Sequence, residues 1–159
     1  MEKITLKLGE ILQLDSEING FVNPENGEVV FEGFLNQNLD IVLKYELTDT
    51  GDFLTKERKK IEALRDELIK KHGEELPDGG IMVKRFNEVK DDEGNVVSIV
   101  NNPKYLEFDA EYSTLLNSEK EIEYPEITKQ DLKDAGKTKD KYQVLFKLIK
   151  KEVKKEGAN

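Results

Sequence analysis

The sequence has no cysteine, no tryptophan, a single histidine and only four prolines in 159 residues. Without cysteine there is no disulfide framework, no thiolate metal site and no cysteine nucleophile. One histidine excludes His-rich zinc sites and argues against a Ser-His-Asp triad. Long apolar runs are missing too: no stretch approaches the ~20 apolar residues that span a bilayer. The start, Met1-Glu2-Lys3-Ile4-Thr5-Leu6-Lys7-Leu8, alternates polar and apolar residues, unlike the basic start and unbroken apolar run of a signal peptide. The expectation is a soluble cytoplasmic protein with no membrane association. None of the glycine motifs G-x-x-x-x-G-K-S/T, G-x-G-x-x-G and G-x-S-x-G occurs, so an ordinary nucleotide enzyme is not expected and no cofactor is implied.

Charge is abundant. Charged residues make up 37% and hydrophobic residues 36%, with 34 acids against 25 bases and a net charge of −9. A phosphate backbone repels such a chain, which argues against general nucleic-acid binding. The balance suits solvated helices around a thin core better than a multilayer enzyme. The charge is also uneven. Residues 129–159 hold ten lysines and five acids, a net of +5 that leaves −14 for the remainder. Either this segment docks on the acidic body, or it is a detachable tail for an acidic partner.

The length fits one domain, read here as a single α+β domain over 1–156 with a frayed tail at 157–159. Ile4, Leu6 and Leu8 have the two-residue spacing of a half-buried strand. Gly9 to Asn19 fits a short helix or a strand. Asn26-Gly27 between β-rich runs predicts a hairpin over Gly20–Phe34. From about Leu35 to His72 the period becomes seven, with Leu47, Leu54, Ile61 and Leu68 on one seam and Leu43 and Leu64 beside it, the mark of a long helix packed along another. Gly51 is either carried within this helix or breaks it. Leu76-Pro77-Asp78-Gly79-Gly80 reads as a loop. A second hairpin is expected from Ile81–Val89 and Asn95–Val100. Pro103 opens the antiparallel partner helix, with Tyr105, Phe108, Tyr112, Leu115 and Leu116 inward. Glu121–Ile127 reads as a strand, Lys129–Ala135 as a short helix, and Asp140 to about Glu152 as a last helix with Tyr142, Leu145, Leu148 and Ile149 inward. The first strand should lie beside Glu121–Tyr124, because those ends meet if the two long helices run back to back.

Each candidate site has a plainer reading. Asp91-Asp92-Glu93-Gly94-Asn95 suggests calcium but fails the EF-hand spacing and reads as a solvated turn. His72 is a possible base, or a cation at a helix C-terminus. Asp15, Glu17, Glu119, Glu121 and Glu123 are candidate catalytic carboxylates in a chain where acids cluster by chance. Lys44, Arg58, Arg65 and His72 form a basic stripe along the long helix, suited to phosphate or carboxylate; the plainer reading is flank salt bridges to Glu107, Glu111 or Glu119. Arg85 and Phe86 either stack on and grip a nucleotide or edge a strand. The ligand candidates are therefore Lys44, Arg58, Arg65, Arg85 and Phe86, with no catalytic and no metal residue assigned.

Three segments, Ile4-Thr5-Leu6-Lys7-Leu8-Gly9-Glu10-Ile11-Leu12, Glu62 to Gly73 and Glu121 to Leu132, resemble a family of small proteins of unknown function encoded by phages and prophages of Gram-positive bacteria. The Gly20–Phe34 hairpin departs from that pattern. The resemblance implies a phage protein acting in a bacterial cytoplasm and carries over no active-site residue. The expected function is a non-enzymatic binder or inhibitor that counters host defence by sequestering a nucleotide signal or a defence protein. The alternatives are an accessory in virion or tail assembly, and a carboxylate-based hydrolase. The leucine seam outruns its partner helix, so a two-fold homo-oligomer is expected, with Leu54→Glu releasing a monomer.

Overall fold

A computed structural model describes residues 1–136 and 142–151. In chain order the elements are β1 (Glu2–Lys7), α1 (Leu8–Asn19), β2 (Phe21–Val22), β3 (Val29–Phe31), a 3-10 turn (Phe34–Asn36), α2 (Ile41–His72), β4 (Glu74–Glu75) and β5 (Ile81–Met82). They continue with β6 (Phe86–Lys90), β7 (Val96–Asn101), α3 (Pro103–Asn117), β8 (Glu119–Tyr124), α4 (Lys129–Asp134) and α5 (Leu145–Leu148). The class is α+β, as expected. The strands form antiparallel pairs, β1 with β8, β2 with β3, β4 with β5 and β6 with β7. The chain divides into two compact units, Met1–Arg58 with Glu119–Asn159, and Lys59–Ser118. No described helix is long and apolar enough to cross a membrane.

The first unit holds the dry core. The ambiguous stretch after β1 is a helix: the Glu10 carboxylate accepts the Lys7 N–H at 3.0 Å, and Ile11, Leu14 and Ile18 share a buried face at helical spacing. β1 pairs with β8 over its full length, from Glu2 opposite Tyr124 to Lys7 opposite Glu119, which bears out the expected meeting of these strands. Leu6 and Ile122 point inward from this pair. Phe34 is fully buried and meets the Tyr142 ring edge-on at 5.7 Å, as does Phe31.

The long helix begins at Ile41 rather than Leu35. Asp40 Oδ1 accepts the N–H of Val42 at 2.9 Å and of Leu43 at 3.3 Å, which caps the start. The helix runs unbroken through Gly51, about 48 Å at 1.5 Å per residue. Gly51 is there for space. Asn19 Nδ2 donates to the Gly51 carbonyl at 2.9 Å, and a Cβ on residue 51 would lie 2.6 Å from Asn19 Oδ1. Leu43, Leu47 and Leu54 are buried in the core of this chain by itself. The premise that this half of the seam waits for a second copy is therefore corrected.

The last helix is shorter than expected. Among the described residues it is one turn, Leu145–Leu148; Asp140, Lys141 and Glu152 lie outside them, as does the 157–159 tail. The buried Glu17 carboxylate accepts the N–H groups of Gln143, of Val144 at 3.2 Å and of Leu145 at 2.8 Å, fixing the turn's start. Ile149 then leaves the helical path for a parallel bridge to Ile127.

The second unit is built from local pieces. Leu76–Gly80 is a hairpin turn joining β4 and β5, closed by Leu76 N–H to the Gly80 carbonyl at 2.6 Å. The expected Ile81–Val89 strand is therefore two strands. They separate because Asn102 takes the Arg85 carbonyl with its N–H at 3.1 Å and the Lys84 carbonyl with Nδ2 at 2.7 Å. Asn102 Oδ1 also accepts the Lys104 N–H at 3.1 Å, so one side chain caps α3 and pins the hairpin. On α3, Tyr105, Phe108 and Tyr112 form a ladder with centroids 6.2 and 5.7 Å apart, yet no α3 residue is buried.

Candidate functional site

The buried carboxylates are occupied. Asp15 accepts from Arg58 Nε at 2.7 Å, Thr55 Oγ1 at 3.2 Å and Asn19 Nδ2 at 2.7 Å. Glu57 accepts from Lys120 Nζ at 3.0 Å, and Glu17 caps α5. Glu121 and Glu123 flank Lys3 on the β1–β8 surface, each 3.2 Å from Nζ. Those two carboxylates hold the Lys3 ammonium pKa above its ordinary 10.5. Buried ions matched in this way tie α1 to α2 and to the chain's last turns.

The basic stripe lies on α2 as the spacing implies, but it meets acids of its own chain. Arg58 is held by Asp15 and Arg65 Nη2 reaches Asp66 at 3.4 Å. Lys44 sits half-buried near the start of α2. His72 is buried at the end of α2, with Nε2 2.5 Å from Glu111 and Nδ1 3.5 Å from Glu107, two of the acids expected as flank partners. Lys71 Nζ holds the other Glu111 oxygen at 2.7 Å. Lys71 and then His72 lower the Glu111 carboxyl pKa from its ordinary 4.5. Arg85 does stack on Phe86, 5.5 Å from the ring centroid, and also on Tyr105 at 5.9 Å. The second ring was not expected. Asp91-Asp92-Glu93 is a plain turn, with Asp91 Oδ1 accepting the N–H groups of Glu93 and Asn95. Among the described residues no cluster of side chains could hold a metal.

A concavity with an apolar floor lies elsewhere, in the first unit. α4 starts with a reciprocal cap: Thr128 Oγ1 accepts the Asp131 N–H at 3.2 Å, and Asp131 Oδ2 accepts the Thr128 N–H at 2.7 Å. The helix then presents Lys129, Leu132 and Lys133 on one face. Opposite stand Phe146 from α5 and Ile149, the latter fixed by the bridge to Ile127 and by Lys150 N–H to the Ile127 carbonyl at 2.8 Å. Together they line a groove of about 400 Å³, with Leu132, Phe146 and Ile149 as apolar floor and Lys129, Lys133, Lys150 and Lys151 around it. Phe146 is 48% exposed there. Lys150 also reaches Glu126 at 3.0 Å.

The groove belongs to the lysine-rich segment whose charge stood out in the sequence, although its residues were not singled out there. Part of that segment does dock on acids: Lys147 binds Glu10, and Lys147 followed by the Lys7 N–H lowers the Glu10 pKa from its ordinary 4.5. Among the described residues, the lining holds no carboxylate, imidazole or hydroxyl side chain. Such a surface can hold an apolar or planar body with attached negative charge.

No family model, no curated protein and no solved structure matches the chain.

Proposed function

We propose that the chain is a non-enzymatic binding protein of the phage-encoded kind its sequence resembles. It acts in the bacterial cytoplasm, countering host defence by sequestering an anionic nucleotide signal in the lysine-rimmed groove. The observation that carries this reading is the groove itself: four lysines around an apolar floor, in a chain whose net charge is −9. The floor offers Phe146 to stack on a base, and among the described residues the charges lining the groove are all ammonium groups. The buried carboxylates lend no support to the hydrolase alternative, since Asp15, Glu17 and Glu57 each hold a partner of their own chain.

Calorimetric titration with a panel of linear and cyclic nucleotides tests the reading. Stoichiometric binding is expected to weaken by at least about tenfold in Lys133→Glu/Lys151→Glu, since each lost charged contact is worth about 1.5 kcal/mol or more. Affinity should fall as salt is raised, and heat denaturation should release the nucleotide intact. Absence of binding across the panel would sink the proposal. Recovery of a cleaved nucleotide would favour the hydrolase.

A further inference from the structure

We propose that Glu10 and Glu17 of α1 together position Phe146 in the groove, holding its ring against the bound base without touching the ligand. The proposal rests on the reading of the groove as a nucleotide site. Phe146 does not hold itself in place. α5 is a single turn, far below the ~12 residues at which an isolated helix becomes even marginal in water, and the ring is 48% exposed. Leu145 and Leu148 are buried and anchor the inner side of the turn. α1 adds a restraint on each side of Phe146. Before the ring, the Glu17 carboxylate accepts the N–H groups of Gln143, Val144 and Leu145. After it, the Glu10 carboxylate binds the Lys147 ammonium.

The two carboxylates are two helical turns apart, on one face of α1 and about 10 Å from each other along its axis. Gln13 stands between them and donates Nε2 to Glu17 Oε1 at 3.3 Å. The helix that carries them is fixed on its other sides. Ile11, Leu14 and Ile18 are fully buried, and Asp15 is tied to Thr55 and Arg58 of α2. α1 is thus a rigid base from which a ring on a weak turn takes its place. The lysines take theirs from other contacts. Lys129 and Lys133 ride on α4 behind its own Thr128–Asp131 cap, and Lys150 follows the bridge between Ile149 and Ile127. Loosening the hold of α1 should therefore cost the groove its contact with the base and spare its contact with phosphate.

Inorganic tripolyphosphate presents the phosphates of a nucleoside triphosphate without the base, so the two probes separate these contacts. In calorimetric titration Glu10→Gln/Glu17→Gln is expected to weaken a purine nucleoside triphosphate at least about fivefold, the scale of a partly lost base–aromatic stack, and tripolyphosphate less than about twofold. Phe146→Ala should show the same split, and adding Glu10→Gln/Glu17→Gln to it should weaken the nucleotide no further. A role in stability alone would not give that non-additivity. Glutamine at position 10 keeps an acceptor for the Lys7 N–H. If the double variant fails to fold, Glu10→Gln alone, at a partly exposed site, should show the split at smaller amplitude. The chain has no tryptophan, so Phe146→Trp places a single indole in the groove. Its fluorescence anisotropy without ligand should fall when Glu10→Gln/Glu17→Gln is added. Unchanged anisotropy, or equal loss of nucleotide and tripolyphosphate, overturns the proposal. If wild type binds tripolyphosphate and no nucleotide, the nucleotide reading fails instead, and the anisotropy alone decides whether α1 holds the ring.

Discussion

The two units of this chain bury their apolar residues very differently. In the first, residues far apart in sequence converge on one core: Leu6 from β1, Ile11, Leu14 and Ile18 from α1, Leu47 and Leu54 from α2, Ile122 from β8 and Leu145 and Leu148 from α5. In the second, Ile61 is the only buried hydrophobic residue, and His72 and Asn102 are the buried polar ones. Its hairpins and α3 are held by turns, caps and ion pairs. A fold closed by non-local apolar contacts opens as a whole, whereas one held by local hydrogen bonds opens piecemeal at lower cost. The same helix makes the direct comparison possible. Leu54 is fully buried and Leu64 is 43% exposed. Leu54→Ala is expected to cost about 4 kcal/mol, within the range for a fully buried leucine, and Leu64→Ala less than about 1 kcal/mol. Urea denaturation of both variants checks the contrast. Equal losses would mean that the second unit has a packed core after all. For the same reason Leu54→Glu should unfold the first unit rather than release a monomer.

A smaller effect is expected at Glu17, where the first unit joins a polar device to its core. Glu17→Ala strands the N–H groups of Gln143, Val144 and Leu145, which the carboxylate now accepts. The expected loss is about 3 kcal/mol, the scale for leaving buried donors of a charge-assisted set unpaired. Glu17→Gln keeps one acceptor oxygen and should cost less. Hydrogen exchange at residues 143–145 should quicken far more than in β1. If these amides exchange as in wild type, another acceptor has replaced the carboxylate and the role given to Glu17 is wrong.

Elements whose signals are local or periodic were legible in the sequence. The seven-residue spacing placed α2, Asn26-Gly27 placed the β2–β3 turn, and Asn102-Pro103 placed the start of α3. The meeting of β1 and β8 followed from chain closure. Features set by a distant side chain were not legible. Whether Gly51 breaks α2 depends on Asn19, and the start and end of α5 depend on Glu17 and on the bridge from Ile149 to Ile127. The β5–β6 separation depends on Asn102. The stripe of Lys44, Arg58, Arg65 and His72 was placed on its helix, but periodicity does not reveal that Asp15 would take Arg58. The groove showed itself only as a lysine excess, because its floor comes from two segments with residues 135–145 between them.

The smallest effect should come with acid, and it separates the units by location. Each holds a carboxylate with a lowered pKa: Glu10 in the first, through Lys147 and then Lys7, and Glu111 in the second, through Lys71 and then His72. A carboxyl group whose folded pKa lies below its unfolded value of 4.5 binds fewer protons when folded. Its contribution is therefore complete above that value and is lost as pH falls through the folded pKa. Between neutrality and pH 5 neither group should weaken its unit. Below 4.5 the first unit should hold longer, because Leu54 and its neighbours remain buried whatever the charge on Glu10. The second should loosen first around His72, where Glu111 is a main restraint on the end of α2. Glu111→Gln should abolish most of the acid-induced rise in hydrogen exchange at residues 69–73 and leave α1 unchanged. A carboxyl carbon resonance of Glu111 titrating at or above 4.5 would break the argument, since Lys71 and His72 would then give no preference for its charged form.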